Sequence, residues 1–363
     1  MPFSALDHAH MARALALAER GLFTTQPNPR VGCVIAHGDE VVGEGWHQRA
    51  GGPHAEVFAL RDAGERARGA TAYVTLEPCG LLGRTPPCAD ALIAAGIARV
   101  VIAAEDTSQA EGAGLARLRG AGIAVQTGLM REPARELNVG FFRRIETRRP
   151  FVRVKLAMSL DGRTALANGA SQWITGEAAR ADGQRWRARS SAILTGSGTV
   201  LADDPRLTVR LPAGADFAPP LRVVLDRRLR TPVGSHVLDA SAPTLLMHGP
   251  DAAVPEHLAA VECEPVATHG QALDLGEVLR RLAERGGNEV HVEAGPTLGG
   301  ALLAAGLVDE LLIYMAPVLL GDAARPLLHL PTLAEMDARW RLRVFDQRML
   351  GGDLRLRLRP AAD

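Results

Sequence analysis

The chain has only four cysteines in 363 residues. That is too few for the disulfide scaffold of a small secreted domain, so reduced thiols and a cytoplasmic setting are expected. It has no excess of charge of either sign, with 41 basic residues against 41 acidic ones. No basic field for nucleic acid is therefore implied. It has no run of about 18 apolar residues, so no membrane span is expected. The opening MPFSALDHAH lacks a basic region followed by an apolar core, so no signal peptide is expected. What is there is an ordinary globular composition, 47% hydrophobic and 23% charged, and enough length for about two domains.

The pattern predicts alternating short strands and helices. In the first half, helices are expected at 4–20, 54–64, 88–96 and 115–122. Ser4 suits the first N-cap, and Gly21 and Gly64 suit helix ends. Strands are expected at 31–36, 41–47, 70–76, 99–104 and 123–128. A helix over 132–150 is stopped by Pro150 and ends in the charge run RRIETRR, which places a domain border near 149. The same grammar restarts beyond it. Strands are expected at 151–158, 192–196, 221–226, 243–248, 289–295 and from 309, with helices at 176–190, 275–287 and 297–306. The period-two run DLRLRLR at 353–359 reads as a sheet edge. The expected architecture is two layered α/β domains, 1–149 and 150–363.

Two of the four cysteines, Cys79 and Cys88, stand in one turn-rich stretch, EPCGLLGRTPPC. His54 opens a predicted helix, Cys79 follows a strand, and Cys88 opens the next helix. One imidazole and two thiolates make a three-ligand zinc site whose fourth position takes water, and zinc brings that water's pKa towards neutrality. Glu56, two residues after His54, can move protons without ligating the metal. This is the HxE…PC…C pattern of zinc deaminases, here with a wider cysteine spacing. Two other readings fit the same residues. One is plain core packing, the reading given to Cys33 and Cys263. The other is a structural zinc site, which wants a fourth protein ligand, and His47 is the nearest candidate.

Three stretches carry a resemblance. They are Gly45-Trp46-His47-Gln48-Arg49-Ala50-Gly51-Gly52-Pro53-His54-Ala55-Glu56, then Thr75-Leu76-Glu77-Pro78-Cys79 with Gly83-Arg84-Thr85-Pro86-Pro87-Cys88, and Pro27-Asn28-Pro29-Arg30-Val31-Gly32-Cys33-Val34. Together they resemble the bifunctional riboflavin-biosynthesis deaminase/reductase family, over nearly the whole chain. The resemblance implies a cytidine-deaminase-like N-terminal domain that deaminates a phosphoribosylated diaminopyrimidinone. It makes His54, Cys79 and Cys88 the Zn2+ ligands and Glu56 the proton carrier. It gives Asn28, His47 and Arg84 to the substrate. The family loop usually reads PCSHxGxTPPC, whereas here Gly80-Leu81 replaces Ser-His. The usual DPNP is here Asp106-Thr107-Ser108-Gln109. Either the deaminase half is impaired, leaving a working reductase, or another polar residue takes the contact. A deaminase of some other nucleotide is the further rival.

In the second half, Glu293-Ala294-Gly295-Pro296-Thr297-Leu298-Gly299-Gly300 lies between a predicted strand and helix. Glycines there let the backbone approach a phosphate, and a helix N-terminus favours the anion. It is not GxGxxG, so a Rossmann domain is not indicated. With Ser159-Leu160-Asp161-Gly162, Ser171-Gln172-Trp173 and Gly198-Thr199 through Pro205, all expected in turns, it resembles the family's dihydrofolate-reductase-like half. That resemblance implies NADPH reduction of the ribosyl group to ribityl. It assigns Ala157, Trp173, Thr199, Asp203 and the turn Gly295, Pro296, Thr297, Leu298, Gly299, Gly300, Ala301 to the coenzyme. It assigns Ser171, Arg187, Leu207, Arg210 and Glu293 to the substrate, with Lys155 facing the same site. Arg187 and Arg210 suit a phosphate. Homo-oligomers are implied by the resemblance alone.

Overall fold

The computed structural model describes residues 2–80, 87–108 and 113–361, and counts of strands and partners refer to these. The chain divides into two units, Met1–Arg148 with Asp216–Ala218, and Arg149–Ala215 with Pro219–Asp363. No helix among the described residues is long and apolar enough to cross a membrane.

The first unit begins with α1 (Ala5–Glu19), started by a capping box in which Ser4 and Asp7 satisfy each other's backbone N–H. Strands β1 (Gly32–His37) and β2 (Glu40–Trp46) form a hairpin, followed by α2 (Ala55–Ala63), β3 (Thr71–Leu76), α3 (Cys88–Ala94), β4 (Arg99–Ala104), α4 (Ala113–Gly120), β5 (Ala124–Thr127), α5 (Arg131–Leu137) and α6 (Val139–Thr147). The sheet order is β2-β1-β3-β4-β5. Strand β1 is antiparallel to both neighbours, and β3, β4 and β5 run parallel.

Glycines set how closely the helices approach. Gly32 stands opposite Trp46 in the hairpin, and Cys33 opposite Gly45. Facing residues share a side of the sheet, and successive ones alternate. A Cβ on Gly32 would meet Ala14 O of α1 at 1.9 Å, and one on Gly45 would meet Ala55 O of α2 at 2.3 Å. The two helices therefore cover opposite faces, giving three layers. Cys33, fully buried under α2, packs in the core as expected.

Two expectations change here. The helix over 132–150 is broken into α5 and α6 at Asn138, whose backbone leaves helical geometry (φ −109°, ψ 25°). The Asn138 side chain is turned to the hairpin: Oδ1 accepts from Arg30 N at 2.7 Å, and Nδ2 donates to Arg30 O at 2.8 Å. The turn expected at 198–205 is mostly a short helix.

The second unit is built on a nine-stranded sheet. Its elements are β6 (Phe151–Ser159), β7 (Arg163–Ala165), α7 (Glu177–Arg189), β8 (Ala192–Gly196), α8 (Ser197–Asp203), β9 (Leu221–Leu225), β10 (Thr244–His248), β11 (Glu262–Pro265), β12 (Thr268–His269), β13 (Ala272–Leu273), α9 (Leu275–Glu284), β14 (Glu289–Val292), α10 (Pro296–Ala304), β15 (Glu310–Ala316), β16 (Arg325–Pro326), β17 (Leu342–Leu350) and β18 (Asp353–Pro360). The main sheet runs β11-β10-β9-β8-β14-β6-β15-β18-β17. It is parallel through β15, and the last two strands are antiparallel.

The run at 353–359 is therefore not the edge. It is β18, covered by β17, whose sequence LRVFDQRML gives no clean alternation because most of its residues on both faces are exposed. The sheet interior holds charge as well as hydrocarbon. Arg153, fully buried on β6, donates to Glu310 Oε1 at 2.6 Å and Glu289 Oε2 at 3.0 Å. Arg357 and Arg359 also pair with Glu310, and Arg189 with Glu289. Burial pushes Glu310 up, but Arg153 and Arg357 outweigh it and hold the carboxyl down at about 2.

Candidate functional site

In the first unit the ends of three elements converge. His54 is the N-cap of α2, and Cys88 is the first residue of α3. Cys79 follows β3, fixed by the N–H of Cys88, which donates to its Sγ at 3.2 Å. His54 Nδ1 lies 3.2 Å from Cys88 Sγ and 3.6 Å from Cys79 Sγ. The three donor atoms all lie within 4.8 Å of one another. A tetrahedral zinc with ordinary Zn–N and Zn–S bonds sets its nitrogen and sulfur ligands about 3.6 Å apart. The donor set fits zinc in chemistry and in spacing. No fourth His, Cys, Asp or Glu joins the group among the described residues. That favours an open coordination position over a closed structural site.

The electrostatics agree with a cation-binding role. Hydrogen bonding from Cys88, helped by His54, pulls the Cys79 thiol down to about 4. Glu56 is buried in the first turn of α2, with its carboxylate against the Cys88 thiol, and burial pushes it up.

His47, the alternative fourth ligand, is otherwise engaged. Asn28 Nδ2 donates to His47 Nε2 at 3.0 Å, which leaves His47 Nδ1–H to donate to Pro53 O at 2.9 Å. Burial pushes its pKa down, so the ring is neutral. Its ring packs edge-on to His54 with centroids 5.6 Å apart. Asn28, His47, His54 and Glu56 thus stand in one continuous group. Arg84 and Leu81–Gly83 lie outside the described residues.

Gly80 is described, and its space explains its identity. A Cβ there would sit 2.4 Å from Ala113 C and 2.5 Å from Gly114 N. Gly114 is equally tight against Pro78 O. The second altered segment is anchored nearby. Glu77 accepts from the N–H groups of Asp106 and Leu115, each at 3.2 Å. Asp106 caps its own turn through Ser108 N at 2.9 Å.

In the second unit a cavity of about 940 Å³ opens at the carboxyl ends of β6, β8, β9 and β14, the usual ligand position on a parallel sheet. Ala157, Ser171, Trp173, Arg187, Thr199, Asp203, Leu207, Arg210, Glu293, Gly295, Pro296, Thr297, Leu298 and Ala301 all line it, and so does Lys155. Gly299 and Gly300 do not. A Cβ on Gly299 would meet Leu328 Cδ2 at 2.9 Å and one on Gly300 would meet His329 O at 2.0 Å, so both serve close packing of α10. A Cβ on Gly295 would meet nothing within 4 Å. That open backbone at the N-cap of α10 is a cradle suited to a coenzyme phosphate.

The polar end of the cavity is organised by Arg187. Its Nε and Nη2 grip both oxygens of Glu293 at 2.5 and 2.7 Å, and Nη1 donates to Thr208 O at 2.8 Å. Burial pushes Glu293 up, but the guanidinium outweighs it and keeps the carboxylate well below its usual range. Lys155 is pushed down by burial against the pull of Glu293. Trp173 is 68% exposed, with Arg180 stacked 4.6 Å from its ring centre. Asp204 (φ 38°) and Leu207 (φ 48°) adopt left-handed backbone beside the cavity, strain of the kind that persists at functional turns. Sequence reasoning did not single out Arg180, Arg206, Arg227 or Arg325 of this lining. They lie in segments whose turns carry no distinctive spacing.

Comparison with known proteins agrees with a deaminase half and a reductase half. Residues 4–104 match the family described as cytidine and deoxycytidylate deaminase zinc-binding region, and residues 150–350 match the RibD C-terminal domain. The riboflavin biosynthesis protein RibD of Escherichia coli strain K12 is 51% identical over 364 residues, covering 97% of this chain and 99% of that protein. The RibD of Haemophilus influenzae is 46% identical, covering 99% of each. Among solved structures, Acinetobacter baumannii RibD superposes with a TM-score of 0.92 at 45% identity, over 98% of this chain and 99% of that one. A diaminohydroxyphosphoribosylaminopyrimidine deaminase/5-amino-6-(5-phosphoribosylamino)uracil reductase from Thermotoga maritima gives 0.87 at 33% identity, over 98% and 99%.

Proposed function

The chain belongs to the RibD family of bifunctional riboflavin-biosynthesis deaminase/reductases, and on that premise we propose that its first unit, near residues 1–149, deaminates a phosphoribosylated diaminopyrimidinone and its second, near 150–363, reduces the deaminated product. The observation that carries the first half is the three-ligand group of His54, Cys79 and Cys88 with Glu56 beside it. Zinc held by that group would supply a water acidic enough to be used at neutral pH. Glu56, placed two residues from a ligand but outside the ligand set, takes a proton on its carboxylate and returns it to the departing amine. The balance is hydrolytic: the exocyclic C–N bond breaks, a C–O bond from water forms, and ammonia leaves. Asn28, held by neutral His47, presents its amide to the pyrimidine. Arg84 contributes to holding the phosphate.

For the second half, NADPH lying against the Gly295–Leu298 turn and Ala301 would supply a hydride to C1 of the opened sugar. Ala157, Trp173, Thr199 and Asp203 line the coenzyme's part of the cavity. Arg210 faces the substrate phosphate with a guanidinium that has no carboxylate partner among the described residues. Arg187 is held rigid by Glu293, and Ser171, Leu207 and Lys155 complete the substrate end.

We place the protein in the cytoplasm, where its four free thiols suit a reducing environment. We also propose that copies of the chain associate. Strand β17 ends the sheet and exposes Val344 and Met349, and a second copy would pair with its outer edge. The deciding experiment gives zinc-loaded protein the diaminopyrimidinone ribotide and follows ammonia release and NADPH oxidation together. Ammonia followed by NADPH consumption is expected. NADPH consumption that needs the deaminated intermediate, with no ammonia from the first substrate, would refute the deaminase half.

A further inference from the structure

Helix α4 of the first unit carries none of the three side chains grouped for a metal, yet it is bound closely to the turn that follows β3. A Cβ on Gly114 would lie 1.9 Å from Pro78 O, so only glycine lets the helix come this near to the residue before Cys79. Glu77, buried two residues before Cys79, accepts from Leu115 N through Oε1 and from Asp106 N through Oε2, each at 3.2 Å. The start of α4 is therefore docked against the chain that leads into Cys79.

Further along the helix, Arg117 adds a bridge. Its Nη1 donates to Gly80 O at 2.6 Å, the carbonyl of the residue next to Cys79. Its Nε stands 2.8 Å from Asp90 Oδ1. Asp90 lies in the first turn of α3, two residues after Cys88. One guanidinium thus spans both elements that carry a thiol. A planar fork holds two acceptors in fixed relative directions, which an ammonium on a flexible stem does not. Cys88 N also donates to Cys79 Sγ, and Ala89 N to Cys79 O, each at 3.2 Å. Both of those bonds end on Cys79 itself, whereas Arg117 ties the two elements from outside the ligand pair.

The side chains of Arg117 and Asp90 are 47% and 43% exposed. An ion pair so open to water adds little to global stability, so its effect falls on local geometry. That geometry matters here, because groups that orient the ligands of a metal commonly govern its affinity. We infer that Arg117 is a positioning residue of the metal centre: it latches α4 across Gly80 and Asp90, and so holds the sulfurs of Cys79 and Cys88 at a separation that zinc can use. The inference rests on the reading of His54, Cys79 and Cys88 as a zinc site.

The test uses full-length protein and the variants R117Q, R117K and D90N/R117Q, with R119Q as a control for loss of charge on the same helix. Zinc affinity is measured by competition with a chromogenic chelator. R117Q weakens zinc binding roughly 10- to 100-fold, and R117K, which keeps the charge without the fork, does not restore it. Adding D90N to R117Q changes the affinity by less than about twofold, because the bridge is already broken. R119Q binds zinc as wild type does. NADPH oxidation on the deaminated substrate stays at the wild-type rate throughout and reports that each variant is folded. The latch is refuted if R117Q binds zinc as tightly as wild type, if R117K restores wild-type affinity, if D90N adds a further large loss, or if R119Q weakens zinc equally. A wild type that takes up no zinc would instead overturn the zinc reading itself, an outcome distinct from tight binding that R117Q leaves untouched.

Discussion

Placing at position 80 the serine that the family resemblance implies there should harm this protein. Gly80 has no room for a side chain, because its added Cβ would lie 2.4 Å from Ala113 C and 2.5 Å from Gly114 N. Both are backbone atoms, so no rotamer change relieves the clash. Overpacking of this kind costs about 1–3 kcal/mol, paid in displacement of the segments involved. The segment here is the turn that carries Cys79, tied through the Cys88 N–H to its Sγ and through Arg117 Nη1 to Gly80 O at 2.6 Å. Misplacing a reacting group by about 1 Å can cost on the order of 100-fold in rate. For Gly80→Ser we expect ammonia release to fall by about 10- to 100-fold, with a lower melting temperature for the first unit. NADPH oxidation on the deaminated substrate serves as an internal control and should be unchanged. A Gly80→Ser protein with wild-type deaminase rate and melting temperature would refute this account of the glycine.

Other consequences can be checked independently. Glu56→Gln should retain its zinc by elemental analysis while losing about 100- to 10,000-fold in deamination, and loss of the metal would mean that Glu56 is a ligand. Asn138→Ala removes two buried hydrogen bonds to Arg30 and should lower stability by about 1–3 kcal/mol in urea titration, and no change would mean that the break between α5 and α6 is held otherwise. Glu310 is depressed from 4.5 to about 2 in the folded chain, so its stabilising effect is complete above about pH 5 and lost as pH falls towards 2. That difference is worth roughly 3 kcal/mol at neutral pH, and the stability gap between wild type and Glu310→Gln should close on acidification. A gap independent of pH would refute the assignment.

Much of the site was legible in the sequence because its residues sit at element ends. His54 and Cys88 start helices, and the strand-to-helix turn at 293–298 announces itself by glycine and proline. Residues that act across the fold were not legible. Nothing local marks Asn138 as a helix breaker, since its partner Arg30 is 108 positions away. Strand β17 was missed because a strand exposed on both faces has no reason to alternate. At Gly299 and Gly300 the structure adds a packing demand that spacing alone does not reveal, since a side chain at either would meet Leu328 or His329.

Gly45 carries a consequence that reaches beyond packing. The residue of α2 pressed against it is Ala55, which lies between His54 and Glu56. The thickness of this layer therefore decides where an imidazole and a carboxylate come to rest relative to two sulfurs. A single methyl group at position 45 would act as a wedge under the first turn of the helix and lift both groups together. Such a change would touch neither metal nor substrate, yet it would read genetically as an active-site mutation. The room left at position 45 thus answers to the chemistry at the start of the helix it supports.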